Sequence, residues 1–322
     1  MPALPTELEQ MIFVTAALDY PLSAPKLALV ARRTQLWVEP LVYEAIIVQH
    51  PSNTSRKATV DGFLYAISRK PADFFARHVK ILILSYLKQS QITRILSVCT
   101  GVVSLGCWTG CNAQLGRFIA RSPLRPRRLS TCLENTMAMN EDPDFGSPFY
   151  RNVTHLELDD SWSRWMTWAP AFALLPRLTH LALSFTFPVQ IGNMLLDALR
   201  QILGGCKTLE LCVLFLAAGS GQKWYQSSNS LFVEKVIRDP RVVMMPWSLS
   251  HVRWASECWG SWSMWSCAGA IALRQRELYA RGESQCILTA HCISLVFPGP
   301  CGPLTLWPPS QVNESSTSSQ LF

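Results

Sequence analysis

The chain has 322 residues, 49% of them apolar, 10% aromatic and 16% charged, which excludes a disordered polymer and supplies core-forming side chains for one large domain or two small ones. Lys and Arg total 29 against 22 acidic residues, a formal charge of +7. That balance suits an acidic partner, but without a patterned basic face it is no nucleic-acid footprint.

The 11 cysteines are odd in number and irregularly spaced from Cys99 to Cys301, which fits free buried thiols better than a disulfide framework. The segment Met1 to Glu9 is acidic and lacks the basic start and apolar centre of a secretory leader, so a cytoplasmic or nuclear location is expected. The Asn-x-Ser/Thr triplets at Asn53, Asn152 and Asn313 then read as chance occurrences. Two uncharged stretches, Ile95 to Gly116 and the one after Cys286, are broken by polar residues and glycines or by prolines, and no membrane span is expected.

In chain order, Thr6 and Glu9 are spaced as a capping box that opens a first helix, and Leu8, Met11, Ile12, Thr15 and Ala16 follow on one face. A second helix starts near Ser23-Ala24-Pro25, with Leu27, Val30 and Ala31 inward and Lys26, Arg32 and Arg33 outward. A third short element runs from Gln35 through Trp37 and is interrupted at Pro40. The turn-forming segment from Gln49 to Lys70 reads as a linker.

Beyond it a pattern of apolar-x-x-Leu-x-apolar recurs, with central leucines at Leu82, Leu105, Leu129, Leu156, Leu181 and Leu209 and steps of 23, 24, 27, 25 and 28 residues. Such steps fit a leucine-rich repeat, in which a short strand points alternate apolar residues inward and a return segment lets the next strand stack parallel to it. Met194 to Leu203, closed by Gly204-Gly205, is the clearest return helix, and Ile92 to Val98 is another. The expected organisation is a helical head over 1–48, a linker over 49–70, a repeat body over 71–247, a Trp-rich cap over 248–284 and a disordered tail over 285–322.

Leu4-Pro5, Glu7-Leu8 and Ile12-Phe13, followed by Leu29-Val30-Ala31-Arg32-Arg33 and Trp37, resemble the F-box pattern. The head is similar to the F-box-like starts of fungal proteins with a divergent leucine-rich-repeat body, and Asp239-Pro240-Arg241-Val242-Val243 resembles a segment near the end of that group. The resemblance implies an α/β chain: a short three-helix F-box-like module followed by a leucine-rich-repeat-like solenoid with parallel strands. It implies docking on the Skp adaptor of an SCF (Skp, cullin, F-box) ubiquitin ligase through Leu4, Pro5, Leu8, Ile12 and Val30, while the body holds a protein substrate. Thr34 departs from the pattern, which has a bulky aromatic there. The competing reading is a repeat-built protein-binding scaffold with no ligase role, its head a mere cap on the first strand.

Catalysis finds little support: none of the six histidines is paired with a nucleophile motif, and no phosphate-cradling glycine loop is present. Neither a metal nor a cofactor is expected, since Cys107 with Cys111, Cys206 with Cys212 and His291-Cys292 lack paired ligand sets at finger spacing. For the unidentified protein substrate, His155 and His180 hold equivalent positions in neighbouring repeats and could line one face. Trp162, Trp165 and Trp168, stepping by three, would leave some rings exposed as anchors. Arg117, Arg121, Arg125, Arg127 and Arg128 crowd one stretch and read as a solvated loop near Glu141, Asp142 and Asp144. Trp259, Trp262 and Trp265, with Trp247 and Trp254 nearby, read as a layer over the last repeat.

Overall fold

A computed structural model describes residues 4–49, 57–109, 113–137, 141–186, 193–217, 239–246, 253–254, 257 and 263–282. The 285–322 tail, the triplets at Asn53 and Asn313, and Trp247, Trp259 and Trp262 lie outside the described residues. Among the described residues no helix is long and apolar enough to cross a membrane.

The chain is an α/β protein, and among the described residues eight strands form one open, all-parallel sheet in chain order. The strands are β1 (Ala45–Gln49), β2 (Ile81–Ser85), β3 (Ser104–Trp108), β4 (Arg128–Thr131), β5 (His155–Leu158), β6 (His180–Thr186), β7 (Leu211–Ala217) and β8 (Val242–Pro246). Before β1 come α1 (Thr6–Asp19), α2 (Ala24–Leu27) and α3 (Arg32–Val42). Between strands lie α4 (Lys57–Arg69), α5 (Ala72–His78), α6 (Gln89–Val98), α7 (Ala113–Arg121), α8 (Trp162–Thr167) and α9 (Asn193–Gly205), and α10 (Met264–Ala280) follows β8.

Register explains the repetition. Ile46, Leu82, Leu105, Leu129, Leu156, Leu181, Cys212 and Val242 stand side by side across the sheet. From Leu82 to Val242 this row is buried in the main core. Each fully buried leucine there contributes roughly 2 kcal/mol relative to an exposed one. Every strand from β2 to β7 is entered the same way, one carbonyl of the preceding unit accepting two successive amides: Glu44 O takes Lys80 and Ile81, Thr154 O takes Thr179 and His180, and Thr179 O takes Glu210 and Leu211.

That corner corrects the sixth repeat, because the row continues through Cys212 and not Leu209. Leu209 stands three residues before the row position, as Val79, Val102, Val153 and Leu178 do in their units, and is buried with them. Cysteine, a small hydrophobe when reduced, fills the central place.

Other expectations are also revised. The expected linker holds α4, whose Val60 and Phe63 enter the main core. The capping box at Thr6 is not made: Pro5 is the cap residue, and Glu9 accepts the Arg33 guanidinium at 2.7 and 3.1 Å, tying α1 to α3. Arg32 and Arg33 therefore belong to α3, which continues through Pro40 to Val42. Gly204 and Gly205 lie inside the last turn of α9 and make no left-handed cap, since Gly282 is the one described glycine with positive φ.

Candidate functional site

The amino-terminal helices form their own small core of Ala17, Ala24 and Val38, with Phe13, Leu27 and Trp37 packed around it. Two alanines and a valine use little of the apolar surface available. Leu4, Leu8, Met11, Ile12, Leu22, Leu29, Val30 and Leu36 remain exposed, Leu8 at 44% and Ile12 at 55%. Val30, expected inside, is 62% exposed. Thus Leu4, Pro5, Leu8, Ile12 and Val30 are all solvent-facing, whereas Thr34 is buried and its hydroxyl donates to Ala31 O at 2.8 Å. The departure from the F-box pattern therefore sits inside the head. Contact with the rest of the chain runs through the Glu39–Lys70 ion pair at 2.7 Å and the edge-on packing of Tyr43 against Phe74 and Phe75.

The second face of the sheet is covered by the chain itself. Side chains alternate along a strand, so the face opposite the leucine row presents Ile83, Gly106, Ser130, Glu157, Ala182, Val213 and Val243 across β2 to β8. At the β6 to β8 end, α10 lays Met264, Trp265, Ala268 and Ile271 on Ala182, Leu211, Val213, Phe215 and Val243. Trp265 does not simply close the end of the sheet, because it reaches across this face to His155 of β5 and His180 of β6.

Towards β2, Trp254 joins Ile83 and Trp108. The intervening centre is polar: Glu157, 1% exposed, accepts Trp254 Nε1–H at 2.7 Å and is ion-paired with buried Arg253. Arg128 pairs with Glu257, which in turn accepts the Met264 amide at 3.0 Å. Sequence reasoning missed Glu157 because an acid at the alternate position of Leu156-Glu157-Leu158 reads as solvent-facing. Its partners lie 96 and 97 residues away.

His155 and His180 do come together, their rings stacked 4.1 Å apart and nearly parallel. The edge-on Trp265 ring lies 5.2 and 5.4 Å from them, so the pair is sheltered and does not form an open binding surface. The Thr154 and Thr179 hydroxyls donate to Arg127 O and Thr154 O, each at 3.1 Å. With that single proton committed, each threonine oxygen accepts from Nδ1–H of the following histidine, at 2.9 and 2.8 Å. Burial is the main cause that holds His155 down at about 3, with His180 and Arg128 adding to it. Burial also lowers His180, aided by Arg128 and opposed by Glu210.

As pH falls below about 6.5, the ordinary imidazole value, the unfolded chain takes up protons that folded His155 refuses until about 3. Stability should therefore fall steadily across that interval. Urea midpoints measured at about pH 7 and about pH 5 check this, and His155→Asn should flatten the dependence.

Trp165 and Trp168 are not exposed anchors, because both are in the main core at 0% and 1% exposure. The Trp162 side chain lies outside the described residues. A six-residue helix packed under β6 turns these rings inward, and their N–H groups are satisfied by Ser184 O at 2.8 Å and Asp142 Oδ1 at 3.2 Å.

The arginine stretch is also dispersed: Arg117 on α7 faces Glu141 at 3.7 Å, Arg125 donates to the Ser122 and Leu124 carbonyls, and Arg128 is on the second face. Beside Arg117, a cavity of about 170 Å³ lies between α7 and the leucine row, lined by Leu105, Ile119, Leu129 and Phe149. Cys132, Glu134 and Asp160 converge within 4.8 Å. Asp160 accepts the Leu133 and Glu134 amides at 3.0 and 2.6 Å, and Glu134 accepts the Ser161 hydroxyl, so these carboxylates knot the turn after β4. Cys99, Cys107 and Cys212, pushed up to about 12 by burial, are inert core thiols.

Fold and site together define an α/β protein with a chain-ordered parallel sheet, a covered second face and an apolar surface on its amino-terminal helices. Comparison with protein-family models and with curated proteins found no match.

Proposed function

We propose that the chain is the substrate-recognition subunit of an SCF-type ubiquitin ligase. Its amino-terminal helices dock on the Skp adaptor, and its body, a divergent leucine-rich-repeat array, holds a protein substrate. The observation that carries the reading is the unused apolar side of the amino-terminal helices, where Leu4, Leu8, Ile12 and Val30 face solvent around a small apolar cluster whose buried members are Ala17, Ala24 and Val38. A patch of this kind on a module too small to be stable alone is what a partner helix would cover. A head serving as a cap would instead pack Leu8 and Ile12 against the first strands. Both are exposed, and neither belongs to the cluster around Leu82.

Co-purification of the full chain with the Skp adaptor tests the proposal. Leu8→Asp combined with Ile12→Asp should abolish the complex, because two carboxylates would be buried without partners at the contact. The same variant should unfold at nearly the unmodified temperature, since both positions face solvent. Failure of the unmodified chain to bind the adaptor would sink the assignment.

A further inference from the structure

The segment over the β2 to β5 half of the second face differs in chemistry from the helix over the other half. Helix α10 seats Met264, Trp265, Cys267, Ala268, Ile271 and Ala272 on an apolar cluster, the ordinary composition of a permanent core. Arg253, Trp254 and Glu257 are held by charge and by ring contacts: Arg253 pairs with Glu157 and lies 4.0 Å from the Phe215 ring centroid, Glu257 pairs with Arg128, and the Trp254 ring packs on Ile83 and Trp108 while its N–H reaches the second oxygen of Glu157. Desolvating such pairs costs nearly what their attraction returns, so they hold position while adding little net stability.

The fit is also incomplete. Ser85 Oγ and Ser130 Oγ, on residues with no exposed surface, and Arg128 Nε are buried without a partner among the described residues. Ser130 lies between Gly106 and Glu157 in register, so small, hydroxyl and acidic positions make a trough across three strands. A Cβ at Gly106 would stand 2.6 and 2.7 Å from the Trp108 ring and 3.5 Å from Trp254 Cε3, so the glycine makes room for the Trp108 wall of the trough and leaves Trp254 in ordinary contact above it. The Trp254 ring rests edge-on against Trp108, with centroids 6.0 Å apart, and Arg128 Cζ lies 5.2 Å from its centroid.

We infer that the trough of Gly106, Ser130 and Glu157, walled by Ile83 and Trp108 and flanked by Arg128, is a peptide-recognition groove. Arg253, Trp254 and Glu257 occupy it in place of a target. Its partner is a protein segment with an arginine followed directly by an aromatic, and a carboxylate three residues beyond that aromatic. The arginine and the aromatic N–H share Glu157, the ring fills the space over Gly106, and the carboxylate meets Arg128. This deepens the reading of the body as a substrate-holding surface and rests on it.

The test uses the full chain and a labelled, end-blocked peptide of residues 253–257, Arg-Trp-Ala-Ser-Glu. Arg253→Ala combined with Trp254→Ala should empty the groove, and the peptide should bind that variant at least about tenfold more tightly than the unmodified chain, which still carries its own segment. Adding Glu157→Gln to that background should remove the gain, and a peptide with alanines in place of Arg-Trp should not bind. Equal affinity for the double variant and the unmodified chain would overturn the inference. So would loss of cooperative unfolding in the double variant, because Arg253 and Trp254 would then be core and not exchangeable occupants. Adaptor docking plays no part in this readout, so failure here leaves the head assignment standing, and failure of docking leaves the peptide result standing.

Discussion

Trp165→Ala should lower the unfolding free energy by about 3–5 kcal/mol, the range for removing a large aromatic from a packed core. Trp165 has no exposed surface, and its indole donates to Ser184 O on β6 at 2.8 Å. The substitution therefore deletes the largest kind of side chain available and leaves a strand carbonyl short of its donor. Ser184 is itself tied back to β5, its hydroxyl donating to Asp159 Oδ1 at 3.0 Å, so the loss falls where two strands are pinned together. Trp165→Phe should recover most of the packing and leave a residual cost of about 1–3 kcal/mol for the unpaired carbonyl. Urea denaturation of the two variants separates these contributions. An exposed ligand anchor would change stability by less than about 0.5 kcal/mol in either variant, so the result also decides between the buried and the anchoring role for this residue.

Gly101→Ala should destabilise the chain by about 3 kcal/mol, at the upper end for overpacking. A Cβ at this position would stand 1.9 Å from the carbonyl oxygen of Ala76 in α5. The obstacle is backbone within a helix and cannot rotate aside as a side-chain tip could. Gly101 immediately precedes Val102, which is buried at the entry to β3, and α5 leads into β2. Relief would require moving one unit of the sheet against the next, and every later strand is hydrogen-bonded to the one before it. Gly62, where an added Cβ meets nothing within 4 Å, is the control: Gly62→Ala should be neutral or slightly stabilising, because alanine is the better helix former by about 1 kcal/mol. Thermal unfolding of the two alanine variants gives the comparison directly.

The sheet was largely legible from side-chain spacing. Leu82, Leu105, Leu129, Leu156 and Leu181 stand in one row as their spacing predicts, because a strand with one face in a core must place an apolar residue at the same phase in every unit. The Cys212 place is masked in the sequence because cysteine stands where the other units carry leucine, and Leu209 offers the same apolar-x-x spacing three residues too early. The stripe Val60, Phe63, Leu64 and Ile67 in α4 was also readable at helical period. The polar residues before it obscured it.

The exposed side of α1 illustrates a different limit. Apolar residues surround that helix, so its sequence announces surplus hydrophobic surface but not which side the small core of Ala17, Ala24 and Val38 will use. The tryptophans show the same ambiguity. A spacing of three places rings around a short helix, and only the packing of α8 under β6 decided that Trp165 and Trp168 point inward.

Local periodicity by itself marked strands β2 to β6 and the leucines of their row, since burial on one face repeats within each of those units, whereas β1, inside the expected helical head, and the Cys212 place in β7 carried no such mark. Only the tertiary structure decided what covers the opposite face. Glu157 meets Arg253 and Trp254 across 96 and 97 residues, and Trp265 settles on the stacked histidines of β5 and β6. A contact between residues so far apart in the chain leaves no periodic trace in either segment: a single acid in a strand looks the same whether water or a distant arginine will satisfy it.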